Sequence, residues 1–279
     1  MNPESSLELR LPSHVPLEDD NYFLPPPTSA KGFSNPIYQP WERLVSRLPA
    51  LIESRELQME VQKLPVLSTG SLCSGLEWRE AYVVLCFLAN GYIWASSLPV
   101  DTLPPALSVP LLEVAGRLEL PPVATYAGLV LWNYTNTKSN GFRPESLQVR
   151  YTFTGTSDEA WFYLISVAIE AEGRHVVQLV FSAMDNLETK DFLEAEDALA
   201  QIGKIIGKMN DILGRIHERC KPDVFYHRIR PFLRGSRGIP SLPRGVFYDQ
   251  GDTKGEWRGY RGGSNGQSAL FHFLDIVLG

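Results

Sequence analysis

Cysteine is scarce in this sequence and no apolar run is long, and these two absences exclude several classes of protein. The 279 residues include three cysteines (Cys73, Cys86 and Cys220), which are too few and too widely spaced for a disulfide framework or a tetrahedral zinc site. The longest apolar run, residues 81–89, is about half as long as the ~18 residues that a membrane-crossing helix needs. Residues 1–10 are polar and acidic, unlike a secretory signal, so we expect a cytoplasmic protein without a membrane span.

A surplus of positive charge is also absent. Lys and Arg number 26 against 32 Asp and Glu, which gives a formal net charge of −6. Proteins that bind nucleic acid usually present a basic face, so we expect no nucleic-acid partner. Apolar residues make up 44% and charged residues 21%, which is typical of a folded globular protein rather than a disordered chain.

The common cofactor and metal motifs are missing as well. The sequence contains no G-x-G-x-x-G, Walker loop, H-E-x-x-H or C-x-x-C motif. The five histidines show no metal-ligand spacing; they are His14, His175, His217, His227 and His272. A single histidine can nevertheless serve as the axial ligand of a haem, so this pattern does not exclude a haem site.

Apolar residues recur at helical spacing over most of the chain, which predicts a mainly α fold. The predicted helices cover residues 41–52 (interrupted at Pro49), 78–94, 157–169, 176–184, 194–219 and 268–278. Thr156 and Ser157 precede two acidic residues and suit the N-cap of the third helix. Six prolines between residues 98 and 122 predict short helices separated by turns.

A polar stretch that contains glycine and asparagine, residues 133–144, is the best candidate for a domain boundary. We predict a small N-terminal α domain with minor β structure over residues 1–138, including an extended proline-rich arm at residues 1–40. A larger all-helical domain is predicted over residues 139–279. Within it, residues 235–264 are rich in glycine and proline and are predicted to be loop.

One glycine-rich polar loop, residues 262–268, opens the last predicted helix. Its backbone N–H groups are suited to hold an anion such as a carboxylate or a propionate. The alternative interpretation is a simple flexible connection.

Arg230 stands within an aromatic-rich stretch, residues 225–233, which predicts a short helix broken at Pro231. Because proline disfavours helical dihedrals in the residue before it, we expect Arg230 at a kink with its guanidinium directed away from the helix. A fork-shaped cation beside aromatic rings suits the carboxylate of an amino acid with an apolar side chain. The alternatives are a surface arginine or a structural ion pair.

Several longer motifs follow one another along the chain. They are Tyr22-Phe23-Leu24-Pro25, Glu80-Ala81-Tyr82 to Tyr92-Ile93-Trp94, Val109-Pro110-Leu111, Leu120-Pro121-Pro122, Thr125-Tyr126-Ala127, Asp158-Glu159-Ala160-Trp161-Phe162 with Ser166, Arg230-Pro231-Phe232-Leu233, and Gly262-Gly263-Ser264 with Gly266-Gln267-Ser268. In order and spacing they resemble the indoleamine 2,3-dioxygenases, haem enzymes that insert both atoms of O₂ across the indole C2–C3 bond of tryptophan. The last two motifs are the strongest matches.

This resemblance implies two domains with haem b and its iron between them, O₂ as co-substrate and an indole as substrate. The residues that would line the distal, substrate-binding side are Tyr126, Phe162, Ser166, Phe225, Arg230, Leu233, Gly263 and Ser264. By this analogy Phe162 and Phe225 pack against the indole ring and Arg230 holds the carboxylate. Ser264 would border a haem propionate and the substrate ammonium, and no residue is assigned as a catalytic acid or base.

The sequence departs from the family pattern in three places. The family's proximal histidine lies beyond the position of Gly279, and His272 does not match it, so the metal ligand stays unknown and we expect a C-terminally truncated domain. Gly128-Leu129 replaces a polar-plus-cysteine pair, and Asn265 replaces a small residue, which predicts a pocket that is narrower or differently directed.

The sequence therefore leaves two functions open. The first is a haem-dependent dioxygenase of tryptophan or a related indole, with an N-formylkynurenine-type product, in secondary-metabolite biosynthesis. The alternative is a catalytically inactive, haem-poor truncated homologue that acts as a binding partner. In either case a protein partner or a further C-terminal segment would cover the haem face.

Overall fold

The computed structural model describes residue 24, residues 32–136 and residues 141–279. Most of the predicted arm at residues 1–40 lies outside these described residues. The helices in the first part of the chain are α1 (Gln39–Ser46), α2 (Leu48–Glu53), α3 (Leu57–Gln62), α4 (Gly75–Trp94) and α5 (Pro105–Arg117). Those in the second part are α6 (Ser157–Gly173), α7 (Val176–Glu188), α8 (Phe192–Gly214), α9 (Pro222–Val224) and α10 (Ala269–Leu278).

Strands are short and few in the described residues. They are β1 (Thr102–Leu103), β2 (Tyr134–Asn136), β3 (Leu147–Val149), β4 (Val246–Gly251) and β5 (Lys254–Arg258). Helix accounts for 61% of the structure, so the predicted mainly α fold is confirmed. Within the described ranges, every helix is too short or too polar to cross a membrane.

Helix α4 is the central element of the larger of two hydrophobic clusters. Ser74 caps its start by accepting the Glu77 N–H at 3.2 Å. Residues 80–93 are all buried, because apolar side chains occupy every face of this helix rather than a single stripe. The buried Asn90 near its end reaches across the structure and donates to the Phe232 carbonyl at 2.9 Å. Helix α4 thereby holds the segment that carries Arg230.

Helix α6 joins the two clusters. Thr156 caps it as predicted, by accepting the Glu159 N–H at 3.3 Å. One face of α6, with Tyr163 and Val167, belongs to the larger cluster. The opposite face, with Ile165 and Ile169, belongs to the smaller cluster, which α7, α8 and α10 complete. Since α6 is apolar on both faces, both clusters pack against the same helix.

A β-hairpin lies within residues 235–264, which were predicted to be loop. Strands β4 and β5 pair antiparallel, and β1 pairs parallel with β4, with Thr102 opposite Phe247. The turn between β4 and β5 places Asp252 and Thr253 in the left-handed region. The loop prediction is wrong for the hairpin, and the large predicted domain therefore contains strands. Glycine content indicates the turn. Strand β4 also depends on its pairing with β1, which lies far away in sequence.

The short helices predicted between residues 98 and 122 are also wrong in part, since α5 runs through Pro110 without a break. Proline cannot donate the backbone hydrogen bond of a helix interior. Leu107, Leu111 and Val114 are fully buried on the same helix, and their burial offsets that loss.

The domain division at residues 138 and 139 falls within 137–140, outside the described residues. The larger cluster contains Tyr134 from one side of this boundary and Leu147 and Phe153 from the other. The two-domain division stays a prediction.

Candidate substrate-binding site

A cavity of about 410 Å³ lies between α6, the segment after α9 and the loop before α10. Its lining combines aromatic and aliphatic side chains with two arginines and a small polar loop: Tyr126, Leu129, Val130, Phe162, Tyr163, Phe225, Arg230, Leu233, Arg234, Gly263, Ser264 and Asn265. This volume lies in the range of sites that enclose a small organic ligand.

Seven of the eight residues that the resemblance implied line this cavity: Tyr126, Phe162, Phe225, Arg230, Leu233, Gly263 and Ser264. The eighth, Ser166, does not line it. Ser166 is buried one turn after Phe162 on α6, and its hydroxyl donates to the Phe162 carbonyl at 3.2 Å. A role of Ser166 in the site stays a prediction.

Two walls face each other across the cavity. The inner wall consists of residues 126–130 and 162–163, and the arginine wall consists of residues 225–234. Phe162 on the inner wall contacts Phe225 on the arginine wall, with ring centroids 4.6 Å apart and an interplanar angle of 40°. The two rings present aromatic surface to the cavity, as a planar apolar ligand requires.

π-helical turns shape both walls. One π-helical segment covers Ala127–Leu131 and carries Leu129 and Val130, and the other covers Phe225–Ile229 and begins at Phe225. π-helical turns are rare and occur often at functional sites, where they redirect side chains. Nothing in the hydrophobic pattern distinguishes them from α-helix, so sequence reasoning missed both.

Arg230 lies where the second π-helical segment changes into a short 3₁₀ helix, Arg230–Leu233. Its φ of −51° and ψ of −34° are helical, so the predicted departure from helical dihedrals is wrong. Pro231 stands in the first turn of the 3₁₀ helix, where its missing N–H breaks no hydrogen bond. The exposed guanidinium of Arg230 lies over the Tyr226 ring, 5.3 Å from its centroid.

Two glycines fix the distance between the arginine wall and the loop before α10. A Cβ on Gly262 would overlap the Leu233 carbonyl oxygen, and one on Gly235 would overlap the Tyr260 carbonyl oxygen. The two backbones therefore cross in contact, which only glycine permits. The neighbouring Gly263 is less constrained, because its Cβ would overlap only the flexible end of the Leu129 side chain.

The loop at residues 262–268 is braced rather than flexible. Tyr126 N–H donates to the Gln267 side-chain oxygen at 2.9 Å, and the Gln267 amide donates to the Gly262 carbonyl at 3.2 Å. The N–H groups of Gly266, Gln267 and Ser268 all donate to Ser264 or Asn265 within the loop. These three N–H groups are engaged within the loop and are not available to an anion, and an anion site at the other N–H groups of the loop stays a prediction.

A buried carboxyl group supports the inner wall from behind. Glu170 on α6 accepts hydrogen bonds from the Tyr126 hydroxyl at 2.9 Å and the Ser268 hydroxyl at 2.5 Å. Burial raises the pKa of Glu170, and the two hydrogen bonds oppose this rise. The sequence offered no signal for this contact, since the three residues come from separate segments.

Further lining residues escaped the prediction for different reasons. Val130 and Tyr163 are apolar neighbours within helical segments and resemble ordinary core residues. Arg234, by contrast, directly follows the Arg230–Leu233 motif, so its charge and position were a usable signal.

Histidine does not line the cavity in the described part of the chain. His272 on α10 is exposed, and its Nε2 lies 2.9 Å from the Gly266 carbonyl oxygen; His14 lies outside the described residues. Residues 32–136 and 141–279 hold no group of three His, Cys, Asp or Glu placed to bind a metal ion. The apolar inner wall and the close glycine-serine loop fit one face of a haem, and the axial ligand stays unassigned.

The lining thus combines aromatic rings and aliphatic side chains with two guanidinium groups. The chain belongs to the indoleamine 2,3-dioxygenase family, whose model matches residues 14–279. Members of this family are oxidoreductases that depend on haem and O₂.

Three fungal proteins illustrate the similarity. The chain is 40% identical to the indoleamine 2,3-dioxygenase nanC of Aspergillus nanangensis, over 92% of this chain and 65% of that protein. It is 39% identical to the indoleamine 2,3-dioxygenase qulI of Penicillium citrinum (92% and 60%) and 37% identical to the 6-hydroxytryptophan 2,3-dioxygenase fscD of Fusarium equiseti (92% and 64%). The chain thus spans less than two thirds of the length of these relatives.

Proposed function

We propose that this protein is a haem-dependent dioxygenase that inserts O₂ across the C2–C3 bond of tryptophan or a related indole. The observation that carries the proposal is the placement of Phe162, Phe225 and Arg230 around one cavity. An indole ring can pack against the aromatic surface that the two contacting rings present to the cavity, and a guanidinium provides the bidentate partner that a carboxylate prefers. A related indole as substrate, in secondary-metabolite biosynthesis, is favoured by the similarity to a 6-hydroxytryptophan 2,3-dioxygenase.

The chain's own residues bind and orient the substrate in this proposal. Phe162 and Phe225 hold the ring plane, Arg230 and Leu233 hold the amino-acid end, and Tyr126 and Ser166 keep the inner wall in place. Such positioning lowers the entropy cost of bringing the indole to the reacting oxygen. The described lining residues include no Asp, Glu, Lys or His, and the proposal assigns no acid or base to the protein.

Haem, when bound, supplies the iron and the redox chemistry with O₂. Leu129 and Val130 would contact its apolar face, and Gly263 and Ser264 would border its polar edge. Gly263 has no side chain and packs against Leu129, so the loop backbone would come close to the group.

We also propose that another polypeptide surface covers the outer face of α10. Ile276 is 81% exposed on this helix, and Phe271 and Leu278 on another side of it are 37% and 58% exposed. Several exposed large apolar side chains on one helix favour an interface. Light scattering of the chain with and without Ile276→Asp tests it: self-association that the variant abolishes supports the proposal, and an unchanged monomer opposes it.

The main proposal is tested by Arg230→Ala, with titrations of tryptophan and of indole, which lacks the carboxylate. We expect tryptophan binding to weaken by about 1.5–3 kcal/mol, the size of a hydrogen bond to a charged group, and indole binding to stay unchanged. Arg228→Ala is the matched control, because Arg228 is an exposed arginine of the same segment that lines a different cavity. Equal tryptophan affinity in the parent chain, Arg230→Ala and Arg228→Ala would show that Arg230 does not bind the substrate.

A further inference from the structure

Two arginines line the cavity. Arg234 lines it together with Arg230, and the lining that the described residues provide includes neither Asp nor Glu. Across residues 32–136 and 141–279, neither guanidinium forms an ion pair. Glu170, behind Tyr126, already accepts two hydroxyl hydrogen bonds. The cavity thus carries two positive charges that the described protein does not neutralise.

The backbone at Arg234 is held firmly, unlike that of an ordinary surface arginine. The buried Asn90 amide donates to the Phe232 carbonyl at 2.9 Å and to the Arg234 carbonyl at 3.4 Å. The next residue, Gly235, is locked against Gly262 by the backbone crossing. The side chain is exposed, but its point of attachment beside the cavity is fixed.

Two like charges in one cavity have an energetic consequence. Two guanidinium groups that line one cavity repel each other, and both attract an anion that enters it. A free amino acid brings one carboxylate and one ammonium group. Arg230 alone satisfies the carboxylate, and the ammonium group has a haem propionate as its implied partner, so Arg234 is left without an anion among the described lining residues. A second carboxylate on the ligand would supply that anion.

We propose that Arg234 is a second anion-binding residue that selects indole acids of net negative charge, such as tryptophan acylated on its amine with a dicarboxylic acid, over free zwitterionic tryptophan. This inference rests on the proposed binding of an indole acid at Arg230. In this arrangement Arg230 holds the α-carboxylate and Arg234 holds the additional carboxylate. Arg234 is therefore a specificity-determining residue.

The test compares the affinities of L-tryptophan, N-acetyl-L-tryptophan and N-succinyl-L-tryptophan, which differ in net charge around the same indole. Calorimetric titrations are made on the full chain, with haem added in a parallel series. We expect the succinyl compound to bind about tenfold more tightly than tryptophan, and Arg234→Gln to remove this preference while changing tryptophan affinity by less than about threefold. Arg234→Lys keeps the charge and should restore most of the preference.

Arg237→Gln is the matched control, since Arg237 is an exposed arginine three residues further on that does not line the cavity. It should leave all three affinities unchanged. The inference is overturned if Arg234→Gln shifts the three affinities equally or not at all, or if it lowers haem retention alone, as a propionate partner would. If no compound binds, or if Arg230→Ala leaves binding intact, the proposed function itself fails.

Discussion

On the inner wall of the cavity Tyr126 and Tyr163 are almost fully buried, whereas on the arginine wall Arg230 and Arg234 are exposed. The inner wall is held by side chains, through the hydrogen bonds of Tyr126 with Glu170 and Gln267. The arginine wall is held by its backbone, through Asn90 and the glycine crossing. The inner wall supplies shape and the arginine wall supplies charge, so changes in the two walls should have separable effects.

The largest effect is expected from detaching the arginine wall with Gly262→Ala. The new methyl group would overlap the Leu233 carbonyl oxygen, so the crossing must open. We expect a loss of about 3 kcal/mol in the free energy of unfolding, the upper end for overpacking, together with loss of tryptophan binding. Urea unfolding and calorimetry measure both.

Gly266→Ala is the control for this prediction, because a Cβ there meets its nearest neighbour, the Ser264 hydroxyl, only at 3.5 Å. The free energy of unfolding of this variant should stay within about 0.5 kcal/mol of that of the parent chain. Equal stability of the two variants would show that the crossing does not hold the wall.

Phe162→Ala removes apolar surface from the cavity and leaves the charge of the cavity unchanged. Because the ring packs on Phe225 at 4.6 Å, its loss should weaken the binding of tryptophan and of indole alike, by about 2 kcal/mol. Arg230→Ala should affect tryptophan alone, so the pair of variants separates the two walls. Phe247→Ala, a half-buried aromatic residue against Trp257, is the control and should leave both affinities intact. An effect of Phe162→Ala on tryptophan but not on indole would contradict the assignment.

The smallest expected effect is that of Glu170→Gln on the free energy of unfolding, and this effect depends on pH. Its pKa is raised by burial above the usual value of 4.5, so ionisation opposes folding. Its contribution to stability is complete below pH 4.5 and falls as the pH rises toward the raised pKa. Glu170→Gln keeps an oxygen that accepts the two hydroxyl bonds, so it should change the free energy of unfolding by less than about 1 kcal/mol at pH 4.5. At pH 8, where the parent chain must bury an ionised or newly protonated carboxyl group, the variant should be more stable relative to the parent than at pH 4.5.

Urea unfolding at both pH values measures this difference. Glu172→Gln is the control on the same helix, because the partly exposed Glu172 pairs with Lys208 at 3.1 Å. A stability difference for Glu170→Gln that is the same at pH 4.5 and pH 8 would show that Glu170 does not titrate differently on folding.

Helices with strong local signals were predictable from the sequence. The continuous apolar pattern of α4, the Thr156 cap of α6 and the break between α1 and α2 near Pro49 all agree with the structure. The β4–β5 hairpin was not predictable, because β4 takes its second partner from β1, more than a hundred residues earlier. The helical dihedrals of Arg230 were missed because the local preference before Pro231 gave way to the surrounding helix.

The amino-acid sequence by itself determined the mainly α character, the motifs that identify the family and the residue types of the candidate site, because these depend on local spacing and side-chain chemistry. Only the tertiary structure decided which residues share a cavity. It placed Arg234 in the same cavity as Arg230, left Ser166 out of the lining and joined Tyr126 and Ser268 through Glu170. Such contacts depend on how distant segments pack together, and packing between distant segments leaves no periodic pattern in the chain.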